Sequence, residues 1–119
     1  MLIVEDEVLL RRTLASALRE AGLEAHTADS AEQAEQHLFP KPDVDLVVMD
    51  NRLPSEDGVS ILRRLRENKV SCPVILVTAY DKAEVRRAAQ SLADSYMVKP
   101  FDLGRMLAEI ERLLSAHAH

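Results

Sequence analysis

The chain has 119 residues, with 15 Lys and Arg against 20 Asp and Glu, a formal net charge of −5, 47% hydrophobic residues, one cysteine and no tryptophan. That length fits one domain able to bury roughly two thirds of its unfolded surface without a structural metal, and the lone Cys72 excludes an intrachain disulfide. The acidic balance argues against a broad grip on phosphate backbones, the two Tyr and two Phe are too few to stack bases, and no apolar run approaches the roughly 20 residues of a membrane helix, so a soluble, cytoplasmic domain with no membrane or direct nucleic-acid contact is expected.

Short apolar runs alternate with helical patterns from one end of the chain to the other. The first run is Leu2 to Val4. A helix over residues 7–21 comes next, with Leu10, Leu14, Ala17, Leu18 and Ala21 on one stripe and Gly22 as its stop. Residues 23–28 read as a weaker strand, mixed in polarity and suited to a sheet edge. Ser30 with Gln33 three positions on has the pattern of a capping box, and the helix it starts must end before Pro40. Residues 40–43 are a connecting loop, then 45–49 form a third strand. A helix over 58–68 presents Val59, Leu62 and Leu65 on one face. The fourth strand is 73–79, and Asp81 with Glu84 suggests a second capping box opening a helix that reaches Leu92. Residues 95–98 are the fifth strand, and Asp102 caps a last helix carrying Leu103, Met106, Leu107, Ile110, Leu113 and Leu114. The runs LVVM and VILV are apolar at every position, as strands covered on both faces require, so the architecture is α/β with a five-stranded parallel sheet between helix layers, at about 24 residues per βα unit.

In such a sheet, sites form beyond the carboxyl ends of the strands, near the switch in strand order. Glu5, Asp6 and Glu7 follow the first run, Asp50 the third, Thr78 and Ala79 the fourth, and Lys99 with Pro100 the fifth. Any one of these acids alone is explained as a helix cap or turn residue. Groups of complementary chemistry at four strand ends are not. Clustered carboxylates repel, and a hard divalent cation such as Mg²⁺ relieves that repulsion while also binding phosphate oxygens. Asp6 and Asp50 suit direct ligation, with Glu5 acting through water. A carboxylate can also be the nucleophile that forms an aspartyl phosphate, and Asp50, alone at the end of a buried strand, is the best placed. Lys99 would offset the added charge and the Thr78 hydroxyl could donate to a phosphoryl oxygen.

The segments LIVEDE, VVMDNRLPSEDG, LVTAY and YMVKPF, with Asp6, Asp50, Thr78 and Lys99 successively 44, 28 and 21 positions apart, resemble the receiver domain of bacterial two-component response regulators over essentially the whole chain. The resemblance implies a doubly wound (βα)5 fold with flavodoxin-like strand order 2-1-3-4-5, and a receiver domain over residues 1–115 with 116–119 as linker start or artificial tail. It implies Asp50 as phosphoacceptor, and a Mg²⁺ site made by Glu5, Asp6, Asp50 and the backbone carbonyl of Arg52. Thr78 and Lys99 would contact the phosphoryl group, and Tyr96 would be the switch aromatic that turns inward when Thr78 moves toward phosphate. It also implies a cis Lys99-Pro100 peptide. Pro54 and Gly58 match the loop after the phosphoacceptor, Gly58 easing the turn into the third helix. The implied activity is a phosphorylation-controlled switch rather than an enzyme. It would take a phosphoryl group from a histidine kinase or histidine phosphotransfer protein, lose it slowly, and change an α4-β5-α5 surface that acts on an effector domain, a downstream protein or a phosphorylation-dependent homodimer.

Some positions depart from the family pattern. Only Met1 to Val4 precede the acidic pair, shorter than is usual, as a trimmed N-terminus would make it. Leu92 stands where the family often has the glycine that ends the fourth helix. Arg52 and Tyr80 occupy positions that tune phosphoryl lifetime. A phosphatase of haloacid-dehalogenase type would also use an Asp nucleophile with Mg²⁺, but needs a second Asp where this chain has Arg52. A flavin-binding module would need a phosphate loop where the chain has Glu5-Asp6-Glu7, which repels phosphate unless a cation intervenes. Cys72 reads as a small apolar filler, His26 and His37 as surface residues without a ligand partner, and Arg63, Arg64 and Arg66 as a solvated helix face. Arg86 and Arg87 border the expected switch surface. Nothing fixes His117 and His119 in metal-binding geometry.

Overall fold

A computed structural model describes residues 1–117. Five strands, β1 (Leu2–Val4), β2 (His26–Ala28), β3 (Val47–Asp50), β4 (Val74–Thr78) and β5 (Ser95–Val98), alternate with five helices, α1 (Val8–Glu20), α2 (Ala31–Leu38), α3 (Gly58–Glu67), α4 (Ala83–Leu92) and α5 (Leu103–Ala116). All strand pairs are parallel, in the order β2-β1-β3-β4-β5. Every residue of β1, β3 and β4 is buried, as their unbroken apolar runs predict. Strand alternation then divides the core. Ile3, Val48, Ile75 and Val77 face one layer with Leu14 and Leu18 of α1 and Met106 and Ile110 of α5. Leu2, Val4, Val47, Met49 and Val74 face the other with Ala34 and Leu38 of α2 and Ile61, Leu62 and Leu65 of α3. On α3 it is Ile61 rather than Val59 that reaches the core, Val59 being half-buried.

Local differences from the sequence expectations have physical causes. β2 pairs only over His26–Ala28, because β1 offers just three partners on that edge. Ser30 caps α2, accepting from Gln33 N at 3.3 Å, and Gln33 Oε1 reaches back to Asp29 N at 2.9 Å. Asp81 does not cap α4. The position before the helix is Lys82, which makes no side-chain cap, and the Asp81 carboxylate turns instead to Tyr96 and Arg86. The α4 helix ends at Leu92 without a glycine because Arg66 supplies what a left-handed glycine turn would. Its Nε donates to Leu92 O at 2.8 Å, Nη1 donates to Val70 O and Cys72 O, and Nη2 donates to Asp94 Oδ1 at 3.1 Å, which in turn accepts from Val74 N. Arg66 is thus a structural hub, not a solvated surface residue. His26 and His37 are not isolated either, with ring centroids 5.5 Å apart and His37 Nδ1 3.2 Å from Asp43 Oδ1. His117 lies against Leu113 O and near Asp94, while His119 and the end of the 116–119 segment fall outside the described residues.

Cys72 is half-buried beside β4, with Sγ 3.6 Å from Val44 O, and burial pushes its thiol up to about 11. The thiolate is the reactive species, so a thiol-specific disulfide reagent at pH 8 should modify Cys72 about 100-fold more slowly than an unhindered peptide thiol. Urea should restore the ordinary rate, and a native rate equal to the unfolded one would contradict this placement.

Candidate phosphoryl-acceptor site

The order β2-β1-β3 turns the chain in opposite directions from β1 and β3, and the crevice beyond their carboxyl ends is the switch point of the sheet. Glu5 and Asp6 leave β1 there and Asp50 closes β3. One oxygen from each of the three carboxylates lies within 4.8 Å of the others. Glu5 and Asp50 are only 3% and 6% exposed, while Asp6 faces solvent. Two acids so little solvated need compensation, and Lys99 at the end of β5 provides it. Its Nζ lies 2.7 Å from Glu5 Oε1 and 3.1 Å from Asp50 Oδ2. Burial disfavours the ammonium, but hydrogen bonds to Glu5 and Asp50 outweigh that cost and raise its pKa above the ordinary lysine value. The remaining oxygens are held by backbone. Glu7 N donates to Glu5 Oε2 at 3.1 Å and Arg52 N to Asp50 Oδ1 at 3.3 Å. The Arg11 guanidinium donates to Glu5 O at 2.9 Å, fixing the turn that presents the acidic pair.

The loop after Asp50 is shaped from below. Asn51 is buried, its Oδ1 accepts from Val59 N at 3.1 Å, and its carbonyl accepts from Gly58 N at 2.7 Å. A Cβ on Gly58 would sit 2.6 Å from Asp50 O and 3.1 Å from Asn51 Cα. Gly58 is therefore required by close approach to the acceptor strand, not by a turn that only glycine adopts. On the opposite side, Ser55 takes φ +68° and donates to Glu32 Oε1 of α2 at 2.7 Å. Arg64 pairs with both Glu35 of α2 and Glu56 of the loop. These contacts tie Ser55 and Glu56 to α2 and α3, and the next residue, Asp57, holds the backbone of Arg52 through an antiparallel bridge.

Thr78 ends β4 and is fully buried. Its hydroxyl donates to Tyr80 O at 3.2 Å and accepts from Tyr80 N at 3.0 Å, so it is engaged with its own loop. Lys99 N donates to Thr78 O at 2.8 Å, which sets β4 and β5 in step beside Asp50, and Lys99-Pro100 is cis, as is Phe39-Pro40. Tyr96 is half-buried on β5, and its hydroxyl donates to Asp81 Oδ1 at 2.9 Å. At the mouth, the Arg52 guanidinium lies over the Tyr80 ring at 4.6 Å. The structure thus brings Glu5, Asp6, Asp50 and Lys99 into one cluster with Thr78 adjacent. Tyr96 stands apart on the β5 surface. The contributions of Asn51 and Arg11 have no signal in the sequence beyond proximity to the acidic motifs.

The sequence matches the response regulator receiver domain family over residues 1–111. The chain is 41% identical to the regulatory protein AtoC of Escherichia coli over 117 residues, covering 96% of this chain and 25% of AtoC. It is 37% identical to the transcriptional regulatory protein PhoP of the same organism over 118 residues, 96% of this chain and 51% of PhoP. Among solved structures, the response regulator TrrA of Thermotoga maritima in complex with Mg²⁺-BeF superposes with a TM-score of 0.83 at 31% identity, over 94% of this chain and 96% of TrrA. The chain is a receiver domain of the two-component response regulator family, a signalling domain, and it spans between a quarter and a half of the length of these two curated relatives. No helix among the described residues is long and apolar enough to cross a membrane.

The Gly58 contact yields a stability prediction. Gly58→Ala should destabilise the fold by about 1–3 kcal/mol in urea or thermal unfolding, because the new methyl group meets strand backbone that cannot yield as a side chain would. An unchanged midpoint would show that the Asp50 carbonyl relaxes freely.

Proposed function

We propose that Asp50 accepts a phosphoryl group from the phosphohistidine of a kinase or phosphotransfer protein, with Mg²⁺ as cofactor, and that the phosphorylated domain controls an effector domain or downstream protein. The observation that carries this reading is the convergence of the Glu5, Asp6 and Asp50 oxygens with Lys99 on one crevice at the switch point. The donor set is entirely oxygen and acidic, which fits a hard divalent cation, and Arg52 would add its backbone carbonyl. When bound, Mg²⁺ would neutralise the carboxylates and the incoming phosphoryl oxygens.

The residues of the chain account for the rest. A carboxylate oxygen of Asp50 attacks phosphorus, an O–P bond forms, and the P–N bond to the donor imidazole breaks, its electron pair returning to the ring nitrogen. Lys99 already bonds Asp50 and moves no further than a hydrogen bond to meet the new charge. The Thr78 hydroxyl has one proton, now given to Tyr80 O, and would redirect it to a phosphoryl oxygen. Arg52 and Tyr80, stacked at the mouth, stand where water must pass to reach the acyl phosphate, so they set how long it survives. Tyr96 belongs to the same switch, and its surface with α4 and α5 is the natural place for output, including a homodimer. The receiver unit would comprise residues 1–115, with 116–119 as a linker start or an artificial tail.

Incubation with acetyl phosphate tests the proposal by intact mass. One phosphoryl group should appear per chain in the presence of Mg²⁺, map to Asp50, and be absent in Asp50→Asn or with excess EDTA. Lys99→Ala should slow its formation by about 10- to 100-fold. Release of many phosphates per chain, or an adduct that persists in Asp50→Asn, would overturn the assignment.

A further inference from the structure

We propose that Asp81 is a positioning residue that latches Tyr96 and the β4-α4 loop in their present arrangement and thereby slows formation of the phosphorylated state, an inference that rests on the proposed acceptance at Asp50. The loop from Ala79 to Lys82 is fastened at two points. At one, Thr78 Oγ1 exchanges two hydrogen bonds with the backbone of Tyr80. At the other, Asp81 Oδ1 accepts from the Tyr96 hydroxyl at 2.9 Å and from Arg86 Nε at 3.1 Å. Arg86 is on α4 and Tyr96 on β5, so this single carboxylate joins the loop, the helix and the edge strand. The Tyr96 and Arg86 bonds hold the Asp81 carboxyl below its ordinary range.

The two fastenings fall on adjacent residues, Tyr80 and Asp81, and this is what couples them. For the Thr78 proton to reach a phosphoryl group it must leave Tyr80 O, and the χ1 rotation that carries Oγ1 toward Asp50 also takes the acceptor away from Tyr80 N. The backbone of residues 79–81 then has to resettle, while Asp81 is still bonded to Tyr96 and Arg86. Any contact made in only one of two states shifts their ratio toward that state. The neighbouring helix offers little other resistance. Only Ala88 and Ala89 of α4 are buried, and its far end is held by the Arg66 bond to Leu92 O and by half-buried Leu92 and Ala93 against the core. An element with so few apolar anchors moves at low cost, so a single charged hydrogen bond at its start has weight.

The test compares Asp81→Ala, Tyr96→Phe, their combination and Asp81→Asn. The first measurement is the rate of labelling by acetyl phosphate with Mg²⁺. The second is hydrogen exchange of the Tyr80 amide in unphosphorylated protein. Asp81→Ala and Tyr96→Phe should each speed both by about two- to fivefold, the combination should do no more than the larger single change, and Asp81→Asn, which keeps an acceptor oxygen for Tyr96 but loses the charge that holds Arg86, should fall between wild type and Asp81→Ala. Unaltered labelling and exchange in both single variants would overturn the latch, and so would effects that multiply in the combination. If wild-type protein takes no phosphoryl group, the acceptance reading fails on its own, and amide exchange still decides whether Asp81 restrains the loop.

Discussion

Two nearly buried carboxylates and an exposed third share one crevice, and the balance of their repulsion governs the site. Glu5 and Asp50 lie side by side with little access to water, and Lys99 bonds both and offsets the repulsion between them. This is a compensated but not a saturated arrangement. One ammonium faces three acids, so the crevice keeps a surplus of negative charge that a divalent cation can remove. The rest of the molecule serves this balance. β1 and β3 are buried on both faces so that their ends are rigid, Arg11 fixes the turn after β1, and the Arg64 and Ser55 contacts fix the loop after β3. A cluster held only by flexible loops would relax outward to water and lose its tension.

That tension is local, whereas the surface expected to change lies toward α4 and β5. What links them is a short path through groups that each have one other commitment. Lys99 N is bonded to Thr78 O, Thr78 Oγ1 to Tyr80, and Asp81, the next residue, to Tyr96 and Arg86. In the proposed switch each step would exchange one hydrogen bond for another, which would keep the free-energy difference between arrangements small enough for one phosphoryl group to decide it. A well-packed α4 would defeat such a device, since burying several large side chains would hold the helix more strongly than the loop could pull. The two buried alanines of α4, against the fully buried Ile61, Leu62 and Leu65 of α3, express that difference directly.

Much of this was legible in the sequence because it is carried by local patterns. The unbroken apolar runs located β3 and β4, the acids after β1 and β3 and the lysine after β5 fell at strand ends, and the strand order brings those ends together. The features that escaped are the ones fixed by long-range partners. Asp81 three residues before Glu84 has the form of a capping box, and only the position of Tyr96, 15 residues on, shows why its carboxylate turns away from the helix. Arg66 sits in a run of arginines that reads as a wet face, yet three carbonyls, from the loop before β4 and from the end of α4, converge on it. Gly58 reads as a turn residue until the Asp50 carbonyl is placed 2.6 Å from where its Cβ would be. Propensity describes what a residue does among its neighbours in sequence. These three positions answer to neighbours in space.

The same distinction bears on the departure at Leu92. A glycine at the end of α4 would terminate the helix by its own backbone freedom and leave the following loop loosely held. With leucine there, termination depends on the Arg66 guanidinium, which also bonds Val70 O, Cys72 O and Asp94. The far end of α4 is consequently fixed to the floor of the domain, on the side opposite the acidic crevice, while its near end is fastened to the loop and to β5 through Asp81, which bonds Arg86 and Tyr96. A helix pinned at one end and latched at the other pivots rather than slides. Release at the crevice end would therefore move the first turn of α4 most, the turn that carries Glu84 and lies beside Tyr96, and the last turn least.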